Sequence, residues 1–222
     1  MNYKKNDGNI PVVRISDLRG VKYRQSLEAL FVDGIQMSVK SSLDVISEIN
    51  KAKIGCVVIG GIVVGCHTGR PRATQDLDLI VDHEPGKAVL NRIGKIVGAE
   101  KVEKYDSFLS FVIDSPIGSR KIVDLITSKA GSYGMVFDNC HEIMISGVSI
   151  KIPTVEMMIV LKHTAAVNPI RTKSKQAQDW ADIYAMLDAN KKINEQAAIR
   201  MANSVVPGFG DDLKRAIRNH CG

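Results

Sequence analysis

Asp76-Leu77-Asp78-Leu79-Ile80-Val81-Asp82 alternates carboxylates with branched apolar side chains. In a strand, alternate residues share a face, so Leu77, Leu79 and Val81 point one way and Asp76, Asp78, Ile80 and Asp82 the other. Carboxylates two residues apart, roughly 6 to 7 Å, repel each other unless water or a cation screens them. Two hard oxygen ligands at that spacing suit Mg²⁺. An edge strand with a wet face produces the same pattern, and for Asp-x-Asp alone that plainer reading comes first.

Asp124 shifts the balance. It lies in Ile122-Val123-Asp124-Leu125-Ile126, where both faces are otherwise apolar, so its carboxylate is expected to be partly buried and to need a partner. If this strand lies beside Asp76 to Val81, three carboxylates converge, which favours a divalent metal over a salt bridge to a buried Arg or Lys. Upstream, Cys56-Val57-Val58-Ile59 reads as a strand buried on both faces, ending in Gly60-Gly61 with a helix to follow. A glycine pair there lets backbone N–H groups approach a phosphate at the helix N-terminus, although a plain turn is the commoner meaning. Arg70, Arg72 and Thr74 precede Asp76 and either neutralise the same phosphates or form a solvated loop. Neither the P-loop spacing nor the dinucleotide glycine fingerprint is present.

Around this centre the chain reads as mixed α/β (α+β). Leu43, Ile46 and Ile49 recur at helical spacing behind Ser41-Ser42, with Gly55 closing that helix, and Pro85 opens another after the Asp76 strand. Phe108 to Ile113 and Lys121 to Ile126 read as a hairpin turning at 115–118, and Glu142 to Ile145 with Val148 to Ile152 as a second extended pair. After Pro153 the pattern turns helical, with Thr154 capping a helix to about Val167 and another over Lys175 to Asn190. The expected organisation is a weakly defined extension over 1–41, an α/β domain over 42–152 and a helical, basic domain over 153–222.

In the first of those helices Val155, Met158, Ile159 and Ala166 form an inward stripe, and Lys162 lies on it. An inward ammonium needs an anion, either a structural carboxylate or a nucleotide phosphate. In the next helix Trp180, Ile183, Tyr184 and Leu187 form the expected core stripe, flanked by Asp179, while Asp182 falls nearer the opposite face. Asp179 is thus the expected partner of Lys162 or Arg171, unless it forms an ordinary i, i+4 pair with Lys175.

Composition removes several classes of protein. At 222 residues, 45% hydrophobic and 24% charged, the chain is long enough to bury a core without disulfides or a structural metal. Its longest uncharged apolar stretch, Ile54 to Cys66, is broken by glycines and falls short of the about 20 residues of a membrane helix. The polar N-terminus lacks a secretory apolar stretch, so a cytoplasmic protein is expected. Cys56, Cys66, Cys140 and Cys221 form no C-x-x-C pair, which argues against zinc. Aromatic residues at 5% argue against a base-stacking platform for single strands. The net charge of +6 is uneven, with eleven Lys and Arg against seven Asp and Glu in residues 151–222. That favours phosphate-bearing partners, or simply keeps the protein soluble.

Taken in order, Val58-Ile59-Gly60-Gly61, Arg72-Ala73-Thr74-Gln75-Asp76-Leu77-Asp78-Leu79 and Val123-Asp124-Leu125 resemble the DNA polymerase beta-type nucleotidyltransferase superfamily. The closest likeness is to its AbiEii-like branch, which includes toxins of toxin-antitoxin systems. Pro153-Thr154-Val155-Glu156 leading to Lys162, then Arg171 and Lys175 to Asp179-Trp180-Ala181-Asp182-Ile183, are similar to that branch's helical segment, so the likeness covers roughly 42–190. Gly60-Gly61 stands where many members have Gly-Ser, and Thr74 where Ser is frequent.

The resemblance implies a metal-dependent enzyme moving an NMP from an NTP, ATP among the candidates, to an acceptor hydroxyl. Asp76, Asp78 and Asp124 would be catalytic and would hold two Mg²⁺ ions, with Asp124 as base. Gly60, Gly61, Arg72, Thr74, Lys162 and Asp179 would bind the nucleotide. RNA, with a tRNA 3′ end as its leading form, is the expected acceptor, with protein hydroxyls and aminoglycoside-like molecules open. An antitoxin is an expected partner and a membrane is not. The alternatives are an inactive protein of the same fold that binds nucleic acid or a partner protein, and a hydrolase or nuclease using the same acids.

Overall fold

The computed structural model describes residues 39–70, 74, 76–114, 118–127 and 133–221. Helix α1 (Val39–Lys51) leads into strand β1 (Cys56–Val58), helix α2 (Gly60–Thr68) and strand β2 (Leu77–Val81). Helix α3 (Lys87–Val97) and strands β3 (Lys101–Lys104), β4 (Phe108–Ile113) and β5 (Arg120–Thr127) follow. A short α4 (Gly134–Asp138) and the pair β6 (Cys140–Ile145) and β7 (Val148–Pro153) precede four helices: α5 (Val155–Ala166), α6 (Lys173–Ala189), α7 (Glu195–Val205) and α8 (Phe209–Cys221). The chain is thus a mixed α/β sheet followed by helices. Strand β3 has no counterpart in the sequence reading, because Lys101-Val102-Glu103-Lys104 is polar and largely exposed, as an edge strand can be.

The main sheet has the order β1-β2-β5-β4-β3. β2 and β5 run parallel and every other pair antiparallel. β4 and β5 pair antiparallel as a hairpin would, while the expected turn residues 115–117 lie outside the described residues. The register places Asp78 opposite Asp124, and Asp124 opposite Ser110, so these residues form one row across β2, β5 and β4. On the other face Leu77, Leu79, Val81, Val123 and Leu125 are fully buried in the hydrophobic core. The alternation in Asp76 to Val81 therefore reports a sheet with one buried face and one face carrying the acids.

Helix α2, Gly60-Gly61-Ile62-Val63-Val64-Gly65-Cys66-His67-Thr68, is apolar all round and almost wholly buried, since it lies between the sheet and helices α5 and α6. The His67 Nε2–H donates to the Pro153 carbonyl at 3.0 Å, and Asn190 at the end of α6 donates to the His67 carbonyl at 2.9 Å. Thr154 caps α5, its hydroxyl accepting from the Met157 N–H.

The face that α6 turns inward differs from the expected stripe. Asp179, Asp182, Ile183, Met186 and Leu187 are buried, while Trp180 and Tyr184 are half-buried, Trp180 against His163 of α5 and Tyr184 against His220 of α8. Asp182, expected near the outer face, is 3% exposed and meets Lys162. An apolar-only stripe misses this because the carboxylates are made buriable by a cation on the facing helix. Among the described residues no helix is long and apolar enough to cross a membrane. Cys56, Cys66 and Cys140 are free and buried.

Candidate active site

Asp76 stands just before β2, Asp78 is the second residue of β2 and Asp124 the fifth of β5. Parallel pairing in register brings the last two side by side, and the three residues present oxygens all within 4.8 Å of one another. Charges at that separation repel by about 3 kcal/mol per pair at an effective dielectric near 20. The carboxyl of Asp78 retains some surface but is surrounded by protein; burial first, then the charges of Asp76 and Asp124, push its pKa up to about 7. The Asp124 carboxyl is also held above the ordinary range, mainly by burial, and Ser110 opposes that shift. Hard oxygen donors crowded this closely suit a divalent cation, whose charge removes the repulsion that proteins otherwise relieve by protonation.

The supports of each acid are local. The Thr74 hydroxyl donates to the Asp76 carboxylate at 2.9 Å. The Ser110 hydroxyl, wholly buried, donates to Asp124 at 2.6 Å. Asp78 packs on the backbone of Gly60, at φ +77°, and a Cβ there would collide with its carboxylate oxygen. Gly60 thus makes room for an acid as well as opening α2, and Gly61 lies buried in the first turn of that helix.

Four cations act on the triad. Lys162 and Arg171 draw the Asp78 pKa downward, so both charges face that acid. Lys121 and Lys175 act the same way on Asp124. The Lys162 ammonium lies 2.9 Å from Asp179 and 2.8 Å from Asp182, and Arg171 Nε donates to Asp179 at 2.6 Å. Gln178 donates to the second oxygen of Asp182 at 3.1 Å. Two carboxylates and two cations balance in charge, and three of these four side chains are almost wholly buried. Asp179 lies behind Lys162 and Arg171, holding both. Arg72 lies outside the described residues.

Several neighbours of the triad escape a reading of motifs. Ser110 is a lone hydroxyl in an apolar strand, the same signal that exposes Asp124 directly opposite it on the neighbouring strand. Lys121 stands at the end of a strand, and Tyr133 feels the Asp78 charge from beyond β5. The low aromatic content is also uninformative locally: Tyr105 and Phe108 stack with centroids 4.3 Å apart, beside Lys121.

No family model and no curated protein matches the sequence. Among solved structures, an antigenic nucleotidyltransferase-like protein from Paracoccidioides brasiliensis is similar at 15% identity and TM-score 0.48, over 81% of this chain and 91% of that one. The antibiotic-resistance factor ANT(2'')-Ia is similar at 16% identity and TM-score 0.46, over 82% and 96%. The Thermotoga maritima CCA-adding enzyme, solved with tRNA, is similar at 11% identity and TM-score 0.37, over 88% of this chain and 55% of that one. Likeness of this degree says nothing of activity.

Proposed function

We propose that the protein is a metal-dependent nucleotidyltransferase that moves an NMP from an NTP to an acceptor hydroxyl. The observation that carries this reading is the convergence of three acids within 4.8 Å of one another, with cationic charge acting on two of them. Asp76, Asp78 and Asp124 would hold Mg²⁺, two ions by the sequence resemblance, which when bound supplies Lewis-acid charge for phosphoryl transfer. Arg171, 37% exposed, keeps N–H groups beyond those spent on Asp179 and would take the triphosphate. Lys162 has one N–H beyond those spent on Asp179 and Asp182, and would add a contact. Asp179 acts by positioning these two cations. The first turn of α2 offers its N–H groups beside Asp78, from Gly60 and Gly61.

Asp124 accepts the proton of the acceptor hydroxyl, with Ser110 fixing its orientation. The acceptor oxygen forms a bond to the α-phosphorus, the bond from that phosphorus to the bridging oxygen breaks, and pyrophosphate leaves. The acceptor we favour is RNA, with a tRNA 3′ end as its leading form, supported by the basic charge of residues 151–222 and by the sequence resemblance. The same resemblance supports a toxin acting with an antitoxin partner.

Incubation with Mg²⁺, each α-labelled NTP in turn and total cellular RNA or protein tests this. Label is expected to move to RNA with wild type and not with Asp76→Asn or Asp78→Asn, both of which should remain folded. Normal turnover in either variant would sink the assignment of the acids.

A further inference from the structure

The cations that act on Asp78 and on Asp124 differ in their surroundings. Lys162 and Arg171 act on Asp78 and are suited to a triphosphate; Lys121 and Lys175 act on Asp124, and Lys121 stands against a pair of aromatic rings. Phe108 and Ser110 are alternate residues of β4 and share a face, so the Phe108 ring lies one pleat from the Ser110 hydroxyl that grips Asp124. Tyr105 stacks on Phe108 at 12° between planes and is 42% exposed. Its hydroxyl donates to Glu103 at 2.8 Å, which fixes the ring, and the Asp124 charge reaches it.

The Lys121 ammonium stands 4.8 Å from the Tyr105 centroid and 5.0 Å from that of Phe108. With 4.3 Å between the centroids, these distances make a nearly equilateral triangle. The ammonium therefore sits at the rim of the stack, since over an outer ring face it would be much farther from the other ring. Among the described residues Lys121 makes no ion pair, and Glu103 is already engaged by Tyr105 and Lys101.

We propose that the Tyr105–Phe108 stack, with Lys121 at its rim, seats the terminal nucleobase of the acceptor, next to the hydroxyl presented to Asp124. This rests on the transferase reading above and narrows its acceptor to a nucleic-acid end. A ring pair held from three sides offers a π-face to any base, and a rim ammonium suits the adjoining backbone phosphate. A polycationic acceptor such as an aminoglycoside would instead meet Lys121 and Lys175 with like charge.

The test uses the full chain in Mg²⁺ and two 5′-labelled single-stranded oligoribonucleotides, identical except that one has an abasic 3′-terminal nucleotide. By fluorescence anisotropy, wild type is expected to bind the oligonucleotide with the base about tenfold tighter. In Tyr105→Ala the ratio should fall close to one, and in Tyr105→Phe, which keeps the ring, it should persist. A flat ratio with wild type, an undiminished ratio in Tyr105→Ala, or no binding of either oligonucleotide would overturn the proposal. The wild-type ratio needs no variant to fold, so poor folding of Tyr105→Ala leaves the proposal open to refutation. Transfer from labelled NTP is measured on the same sample. Transfer without discrimination defeats the base seat alone, and discrimination without transfer defeats the transferase reading alone.

Discussion

Gly60 and the Asp78 carboxylate compete for one small volume, and only a residue without Cβ lets the acid sit where it does. Gly60→Ala combines that collision with a left-handed backbone, so it is expected to cost about 2 kcal/mol in chemical denaturation. It should also abolish the rise in melting temperature that Mg²⁺ gives the wild type. Asp78 itself gives a pH signature. With its pKa pushed up to about 7, the folded state holds a proton that the unfolded chain has released above about pH 4. Stability from this group therefore falls as pH rises from about 4 to 7, by a few kcal/mol at most. Asp78→Asn should remove that slope, and be more stable than wild type at pH 8 without metal. Mg²⁺ should raise the wild-type melting temperature more at pH 8 than at pH 5.5, because cation and proton compete for the same oxygens. Equal shifts at the two pH values would speak against metal binding at these acids.

Helices α5 and α6 depend on a polar contact that a hydrophobic pattern cannot display. Lys162 joins the inward stripe of α5, and its ammonium lets α6 bury Asp179 and Asp182. Lys162→Met would keep the volume but leave two buried carboxylates short of a cation, with an expected cost of about 3 kcal/mol by denaturant titration. Arg171→Ala, at a more exposed site, should cost far less stability and should weaken NTP binding. Equal losses of stability in both would show that the ion network has no buried centre. The strands around the acids, and Thr154 as a cap, were legible because their signals are local: alternation, branched runs and a hydroxyl before an apolar segment. Lys162 was legible as an inward cation. Its second partner was not, because Asp182 looks outward until the rotation of α6 is known. Ser110, Lys121 and Tyr105 reach the site only through strand pairing, which no short motif encodes.

At the scale of the molecule, the acids lie on or beside a sheet while the cations acting on Asp78 come from α5 and the connection that leads into α6, so the site depends on how these two layers are joined. His67 is at that junction. It lies in the last turn of the helix that begins at Gly60, donates to the last residue of β7, and is itself gripped through its carbonyl by Asn190. Burial pushes its pKa down to about 4, with the neighbouring His141 acting the same way, while the Pro153 hydrogen bond and Glu156 oppose the shift. A histidine depressed in this manner is neutral when folded, and the unfolded chain gains a proton below about pH 6.5. Its contribution is therefore intact above that value and is lost progressively towards pH 4, by up to about 3 kcal/mol. The trend runs against that of Asp78 in the same window, so it is best read in the Asp78→Asn background. There, stability should fall between pH 6.5 and 4, and adding His67→Gln, which can still donate to Pro153 but does not titrate, should flatten the fall. Loss of NTP binding in step with His67 protonation would further show that the junction, and not the acids alone, sets the distance between the sheet and the helical cations.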